Sequence, residues 1–483
     1  MRRSFSSLGL GLGDWALITL LLFLAAAVAV FAVHAVKAVL HRYPLDYGEA
    51  PLVDQAMRLA SGQNIYRSDI SSPPYTISNY PPLYVVSMVP SVKLFGPNFW
   101  AGRAISVLSA LASAILIALI IYSQTADWLA SAAAGMFFLA FPFVVHWACH
   151  ARIDSLALAF SLAGLYLLAR WPTMPWSTVA SALLLVAAIY TRQSHALAAP
   201  LAAFVWLCTH DWRRAFRLAA LVGGLTLILF FILNALTRGG FFFNVVTANV
   251  NEFVIEQLKW FLRQFRDTAF ILLILSGSFL LLAAGKAPAW PLLAPYLVGA
   301  ALSSLTIAKI GAYVNYFFEI SAALSLTAGA LIAWSRKNSM LRVVLPLLLT
   351  MQTLQLMVST FDEYFGDLNY RIESVGEIRE LEKIVADAEG PILGDEYMGL
   401  VTLQGRPLYI QPFEVTQLAN ARVWDQTPVL EGILNREFPV ILIHYFPHYP
   451  VYRERWTPEM LSAINQTYAP AESLAHTRVY CPK

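Results

Sequence analysis

Within the first 360 residues, apolar stretches follow one another at lengths that suit a lipid bilayer, and this succession limits the fold more than any other feature. A span takes about 20 mostly apolar residues. Candidates lie at 15–40, 100–122, 128–146, 153–169, 176–190, 196–208, 215–236, 268–284, 289–307, 316–334 and 341–360. The sequence therefore predicts an α-helical polytopic membrane protein with about eleven transmembrane helices. The stretches at 176–190 and 196–208 are short and read equally as one bent pair or a re-entrant hairpin. With 58% hydrophobic and 13% charged residues among 483, no soluble domain is built this way. Arg2 and Arg3 ahead of the first stretch suit a signal peptide, but that stretch is too long for one and many spans follow.

Basic residues in the short loops set the orientation. Arg2, Arg3, Arg170, Arg213, Arg214, Arg217, Lys286, Arg336, Lys337 and Arg342 fall on one side, which the positive-inside rule makes cytoplasmic. Arg238, Lys259, Arg263 and Arg266 disagree, in an amphipathic segment expected to rest on the membrane surface. With an odd number of spans, the first outer loop (41–99) and the tail (361–483) share the extracytoplasmic face. The membrane domain is thus expected over 1–360 and a small extracytoplasmic α/β domain over 361–483. In the tail, short apolar runs at 391–394, 408–410 and 439–443 alternate with helical stretches at 378–388 and 459–465. A net charge of +3 without a basic stripe argues against a nucleic-acid partner. No Walker loop or dinucleotide fingerprint appears. Cys149, Cys208 and Cys481 lack metal spacing; Cys149 and Cys481 share the outer side and could pair, but free or buried thiols are the favoured reading.

Ionisable residues at span ends are costly and need a reason. They form groups: Asp46 and Glu49; His146, His150, Arg152 and Asp154; Arg192, Gln193 and His195; Lys309, Asn315 and Glu319. All lie at outer ends of their spans in this topology, which points to one polar site. A lone Asp46 or Glu49 reads first as a solvated loop acid. Arg152 with Asp154 reads as a local ion pair at a helix start. His146 and His150 stand at i, i+4, a spacing that suits a metal pair, although Trp147 and Cys149 between them favour an interfacial cap. Asn315 and Glu319 share a helical face.

Several motifs, taken in order, resemble a known superfamily. Asp46-Tyr47-Gly48-Glu49 is followed by Tyr80-Pro81-Pro82-Leu83-Tyr84, Leu94-Phe95-Gly96 and Arg103. Then come Ala151-Arg152-Ile153-Asp154-Ser155, Thr191-Arg192-Gln193 before Pro200, and Gly311-Ala312-Tyr313-Val314-Asn315-Tyr316 before Glu319. This order resembles the GT-C glycosyltransferases, and is similar to bacterial relatives of protein O-mannosyltransferases and of the lipid A aminoarabinose transferase. The resemblance implies a sugar donor linked to polyprenyl phosphate and a glycan, lipid or protein acceptor. It also implies a bacterial inner membrane with the active site facing outside. It places the catalytic acid at Asp46 and an assisting acid at Asp154. Where many relatives carry Lys or His before the Pro-Pro pair, this chain has Tyr80. Members of the superfamily differ in using a divalent metal ion, so a metal cofactor stays open.

That reaction assigns roles. An oxocarbenium-like transition state leaves a phosphate that departs without a proton, so cations replace the second acid of glycosidases. Arg103, Arg152, Arg192, His195 and Lys309 are the candidates, with Tyr80, His150 and Asn315 as further substrate contacts. Asp46 is the expected general base and Glu49 its helper, three residues on. Asp154 and Glu319 are expected to position substrate. The main alternative is a polytopic transporter or lipid flippase. It predicts midplane charges, broken helices in paired halves and internal symmetry, none of which is clear in the sequence.

Overall fold

The computed structural model describes residues 11–446 and 450–483. Arg2 and Arg3, used for the orientation, lie outside the described residues. Among the described residues, seven helical runs are long and apolar enough to cross a membrane: Leu12–Leu40, Trp100–Thr125, Trp212–Leu236, Ile255–Leu282, Trp290–Ala308, Val314–Ser335 and Leu341–Glu373. The apolar helices Trp128–Ala140, Pro175–Thr191 and Gln193–Cys208 are shorter, as is Leu83–Phe95, which falls within the first outer loop expected over 41–99.

Local chemistry explains where the helices stop. The candidate span at 128–146 breaks at Phe141, held extended ahead of Pro142, which starts the short helix Pro142–Trp147. Between Pro175–Thr191 and Ala198–Cys208 the chain turns through an extended Arg192 and one 3₁₀ turn, Gln193–Ala196. The segment carrying Lys259, Arg263 and Arg266 is helical: it opens the helix Ile255–Leu282, which kinks at Ala269. The last span passes through a π turn, Thr360–Tyr364, into Phe365–Glu373, so helix carries the chain past residue 360.

Helix Phe318–Ser335 sits at the centre, with all but a few of its side chains buried. It packs on Trp128–Ala140, Trp100–Thr125 and Trp290–Ser304, while Leu12–Leu40 pairs with Leu341–Ser359. Trp212–Leu236 buries only Arg214, Ala215, Leu218 and Val222, and turns Leu227, Ile228 and Phe231 outward. An outward apolar face costs nothing when the surroundings are hydrocarbon. Arg342 pairs with Asp14 and Arg336 with Asp127, so the 11–14, 125–128 and 335–342 segments meet at one end of the bundle.

At the opposite end stands a four-stranded sheet of order β1-β2-β4-β3, with β1 Leu393–Gly394, β2 Ile441–His444, β3 Tyr468–Leu474 and β4 Thr477–Pro482. β1 and β2 run parallel and the other pairs antiparallel. The 408–410 run forms no strand of this sheet. It bridges Ile410 to Tyr75 of the first loop instead. The domain grips that loop through two apolar clusters. Ile70, Tyr75 and Ile77 pack with Leu393, Ile410 and Val415, and Tyr43, Tyr47 and Ala50 pack with Ile378, Tyr397 and Met398. Burying apolar side chains at about 25 cal/mol per Å² makes this a firm docking. Polar bonds fix its register: Leu408 N donates to Asp54 Oδ1 at 3.0 Å and Ile77 N to Gln411 Oε1 at 2.8 Å.

Candidate active site

Asp46 and Glu49 sit where the first span ends, yet their surroundings differ. Glu49 is fully buried and receives Arg103 Nε on Oε1 at 2.8 Å and Arg103 Nη2 on Oε2 at 2.6 Å. The backbone N–H groups of Leu45 and Ala151 donate to the same carboxylate at 2.8 and 2.7 Å. Arg103 is equally spent. Its remaining N–H groups hold the carbonyls of Ala38 (3.0 Å), His41 (2.5 Å) and Tyr43 (2.6 Å). This pair fastens the exit of the first span to the start of the Trp100–Thr125 helix.

Asp46 is open by contrast, its side chain 24% exposed. Oδ2 accepts the Gly48 N–H at 2.8 Å and faces Arg152 Nη1 at 3.5 Å. The Arg152 guanidinium lies over the Trp147 ring at 5.4 Å and donates no hydrogen bond to protein among the described residues, and its Nε is buried without a partner. Gly48 makes room for it, since a Cβ there would overlap Nη1 and stand 2.5 Å from Cζ.

Beneath lies a buried acid. Asp154 accepts Arg192 Nη1 and Asn315 Nδ2 (2.9 Å) on Oδ1, and Trp147 Nε1 on Oδ2 at 2.9 Å. Arg192 also covers the Tyr316 ring at 4.2 Å. Three separated segments thus converge: the 147–154 turn, the Arg192 break and the 3₁₀ turn Val314–Phe317. Tyr80 joins them from the first loop, within electrostatic reach of Arg152, Arg192 and Tyr316. Burial pushes its phenol up to about 12, so it stays a neutral donor.

Other candidates stand apart. His195 Nδ1 and Glu319 Oε1 are 3.1 Å apart, an ion-pair distance without hydrogen-bond alignment, so both atoms remain unpartnered. Asn315 and Glu319 therefore serve different neighbours, because the 3₁₀ turn breaks the helical register between them. Lys309 Nζ reaches Asn249 at 3.4 Å, and no ion pair links it to Asp46 or Asp154 among the described residues. His150 places Nδ1 3.0 Å from the His146 carbonyl oxygen, and the two rings lie 4.9 Å apart. No group of three or more His, Cys, Asp or Glu able to hold a metal is found among the described residues. The three cysteines are free.

Some neighbours were not singled out in the sequence as site residues. Tyr316, inside the 311–316 motif, is the platform for Arg192, and Trp147, which the sequence suggests as part of an interfacial cap, is the platform for Arg152. Glu414 of the extramembrane domain carried no signal at all. It accepts the Tyr47 hydroxyl at 2.7 Å; burial raises its carboxyl, and Arg152 and Arg455 pull it back.

No family model and no curated protein sequence matches this chain. Solved structures do. ArnT from Cupriavidus metallidurans bound to undecaprenyl phosphate superposes with a TM-score of 0.62 at 15% identity, over 95% of this chain and 97% of that one. Its apo form gives 0.58 at 16%, with the same coverage. The archaeal oligosaccharyltransferase AglB from Archaeoglobus fulgidus, in complex with an inhibitory peptide and a dolichol-phosphate, gives 0.50 at 11%, over 95% of this chain and 74% of that one. At these identities the likeness is one of architecture: along nearly its whole length the chain shares the fold of these solved structures.

Proposed function

We propose that this protein is a glycosyltransferase that moves a sugar from a polyprenyl-phosphate donor to an acceptor hydroxyl, with Asp46 as general base. The observation that carries the reading is the contrast between the arginines. Arg103 has every donor occupied by protein, whereas the Arg152 side chain, which faces the open Asp46 at 3.5 Å, donates no hydrogen bond to protein among the described residues. A guanidinium whose hydrogen-bond donors are not taken up by protein is suited to an anion that arrives with the substrate. The fold supports a lipid phosphate as that anion, because the neighbours ArnT and AglB were solved with undecaprenyl phosphate and dolichol-phosphate.

In this mechanism the acceptor oxygen attacks the anomeric carbon as the bond to the phosphate oxygen breaks. Its proton passes to Asp46, and the electron pair leaves with the phosphate. Arg152, with the Tyr80 hydroxyl, stabilises the charge gathering there, while Arg192 is held below by Asp154. Glu49 keeps the loop in place and takes no part in proton transfer, since four donors already fill its oxygens. Asp154 and Asn315 position Arg192. The loop charges support a site on the extracytoplasmic face, which cysteine labelling of the Asp46 loop from either side would test.

The decisive assay incubates the purified protein in lipid with a panel of polyprenyl-phosphate sugars and follows donor consumption. Wild type is expected to consume at least one, and Asp46→Asn to be slower by roughly 10²–10⁴-fold with an unchanged melting temperature. A fully active, folded Asp46→Asn protein refutes the mechanism.

A further inference from the structure

The first turn of the helix Pro412–Asn420, carried by the extramembrane domain, closes over the Asp46 loop. One hydroxyl makes the junction: Tyr47 Oη donates to Glu414 Oε2 at 2.7 Å and accepts the Phe413 N–H at 2.9 Å. Arg455 lies over the Tyr47 ring at 4.6 Å and is anchored to Glu396 at 2.8 Å, so the tyrosine cannot swing away cheaply. On the other side, Phe413 leans on Gly311. A Cβ at Gly311 would overlap this ring, with Cε1 at 2.8 Å, and its φ of +80° also calls for glycine. Phe413 and Glu414 remain partly exposed. Tyr47 is the only side chain that hydrogen-bonds the Glu414 carboxylate among the described residues.

The chemistry proposed above leaves this carboxylate unused. An ionised acid would repel the departing phosphate, so a fitting ligand for it is the sugar rather than the leaving group. An ionised carboxylate only accepts hydrogen bonds, and ring hydroxyls are the matching donors. An aromatic face beside it suits the apolar C–H face of a pyranose. We propose that Glu414 is the donor-sugar-binding carboxylate of this site, accepting hydrogen bonds from sugar hydroxyls while the Phe413 ring packs against the sugar. The inference rests on the glycosyltransferase reading. It makes the extramembrane domain a contributor to sugar selection: a site built around a hydroxyl discriminates strongly against the analogue that lacks it.

The test uses the full-length protein in nanodiscs, a polyprenyl-phosphate sugar that wild type consumes, and the same donor made as single deoxy analogues. Wild type should discriminate against one deoxy donor. Glu414→Ala should raise the donor KM roughly 10- to 100-fold, with a smaller change in kcat, and should erase that discrimination. Glu414→Gln, which keeps one carbonyl acceptor, should fall between them. If the alanine variant does not fold, Glu414→Gln and Tyr47→Phe carry the same comparison. The inference falls if wild type shows no deoxy penalty, or if folded variants keep the wild-type pattern. Such a result, with Asp46→Asn still inactive, spares the glycosyltransferase reading. Wild type consuming no donor overturns both.

Discussion

Replacing Gly48 by Ala probes the Asp46–Arg152 pair without substituting either residue. Gly48 has φ −78° and ψ −3°, which alanine adopts freely, so the backbone needs no change. Its position just before the helix Glu49–Ala60 disfavours alanine by no more than about 1 kcal/mol. The added methyl carbon would stand 2.5 Å from Arg152 Cζ and 3.0 Å from Asp46 Oδ2. Carbon atoms at rest are about 3.5–4.0 Å apart, so the guanidinium must retreat by about 1 Å or more. The Asp46–Arg152 separation of 3.5 Å and the Trp147 stacking would then both be lost. A misplacement of this size costs about 10²-fold in rate, or ~2.7 kcal/mol at 1.36 kcal/mol per tenfold. Donor consumption and thermal unfolding, measured on the same preparation, separate the terms. Arg152→Lys supplies the control, because its shorter ammonium has no arm for the methyl to strike. Gly48→Ala should therefore cost far less in an Arg152→Lys background than in wild type, a non-additivity that marks direct contact. Equal costs in both backgrounds, or a Gly48→Ala protein within threefold of wild type, would refute the assignment of Arg152.

Glu49→Ala should behave unlike any Asp46 variant: it strands Arg103 in a fully buried place and should cost about 3–5 kcal/mol, seen as a lower melting temperature and poor yield, while Glu49→Leu with Arg103→Met should recover much of it. The extramembrane domain should show an opposed pair of pH responses, read from its tryptophan fluorescence on thermal unfolding. Burial holds His444 down at about 3, so the unfolded chain binds the extra proton and stability rises with pH through the ordinary histidine value. Burial pushes Asp395 up to about 6, so the folded state binds the extra proton and that contribution is lost as pH rises through about 6. Between pH 5 and 6 the two slopes oppose each other in wild type. His444→Asn should leave Asp395 unopposed and make the domain less stable as pH rises across that window; an unchanged profile would sink this assignment.

The helical membrane architecture was legible because lipid makes a blunt demand on composition, though seven of the helices, not eleven, are long and apolar enough to cross among the described residues; Asp154, Arg192 and Asn315 could be brought together from the span ends. The division of labour between Asp46 and Glu49 was not. Two carboxylates three residues apart look alike in sequence, and what separates them is Arg103, 54 residues away, reaching one and not the other. Arg103 and Arg152 likewise read as equal cations until their partners were known. Lys309 stands apart because the chain at 308–310 pairs with 252–254, a pairing with no sequence signature. The hairpin of β3 and β4 went unread because Pro470 and Glu472 interrupt the alternation that marks a strand, at the bulge where its register shifts. Glu414 lies 367 residues from Tyr47, and only the docking of the domain brings them together.

The five-bond grip of Arg103 bears on how the protein meets bilayers of different thickness. Peripheral helices such as Trp212–Leu236 accommodate a thicker or thinner hydrocarbon layer by tilting. The height of Asp46, however, is set by the carbonyls of Ala38, His41 and Tyr43 gathered on one buried guanidinium, and by Glu49 behind it. The acid is thus levelled against the interior of the bundle rather than against the lipid. Its depth relative to Arg152 and Asp154 stays constant while the outer helices lean.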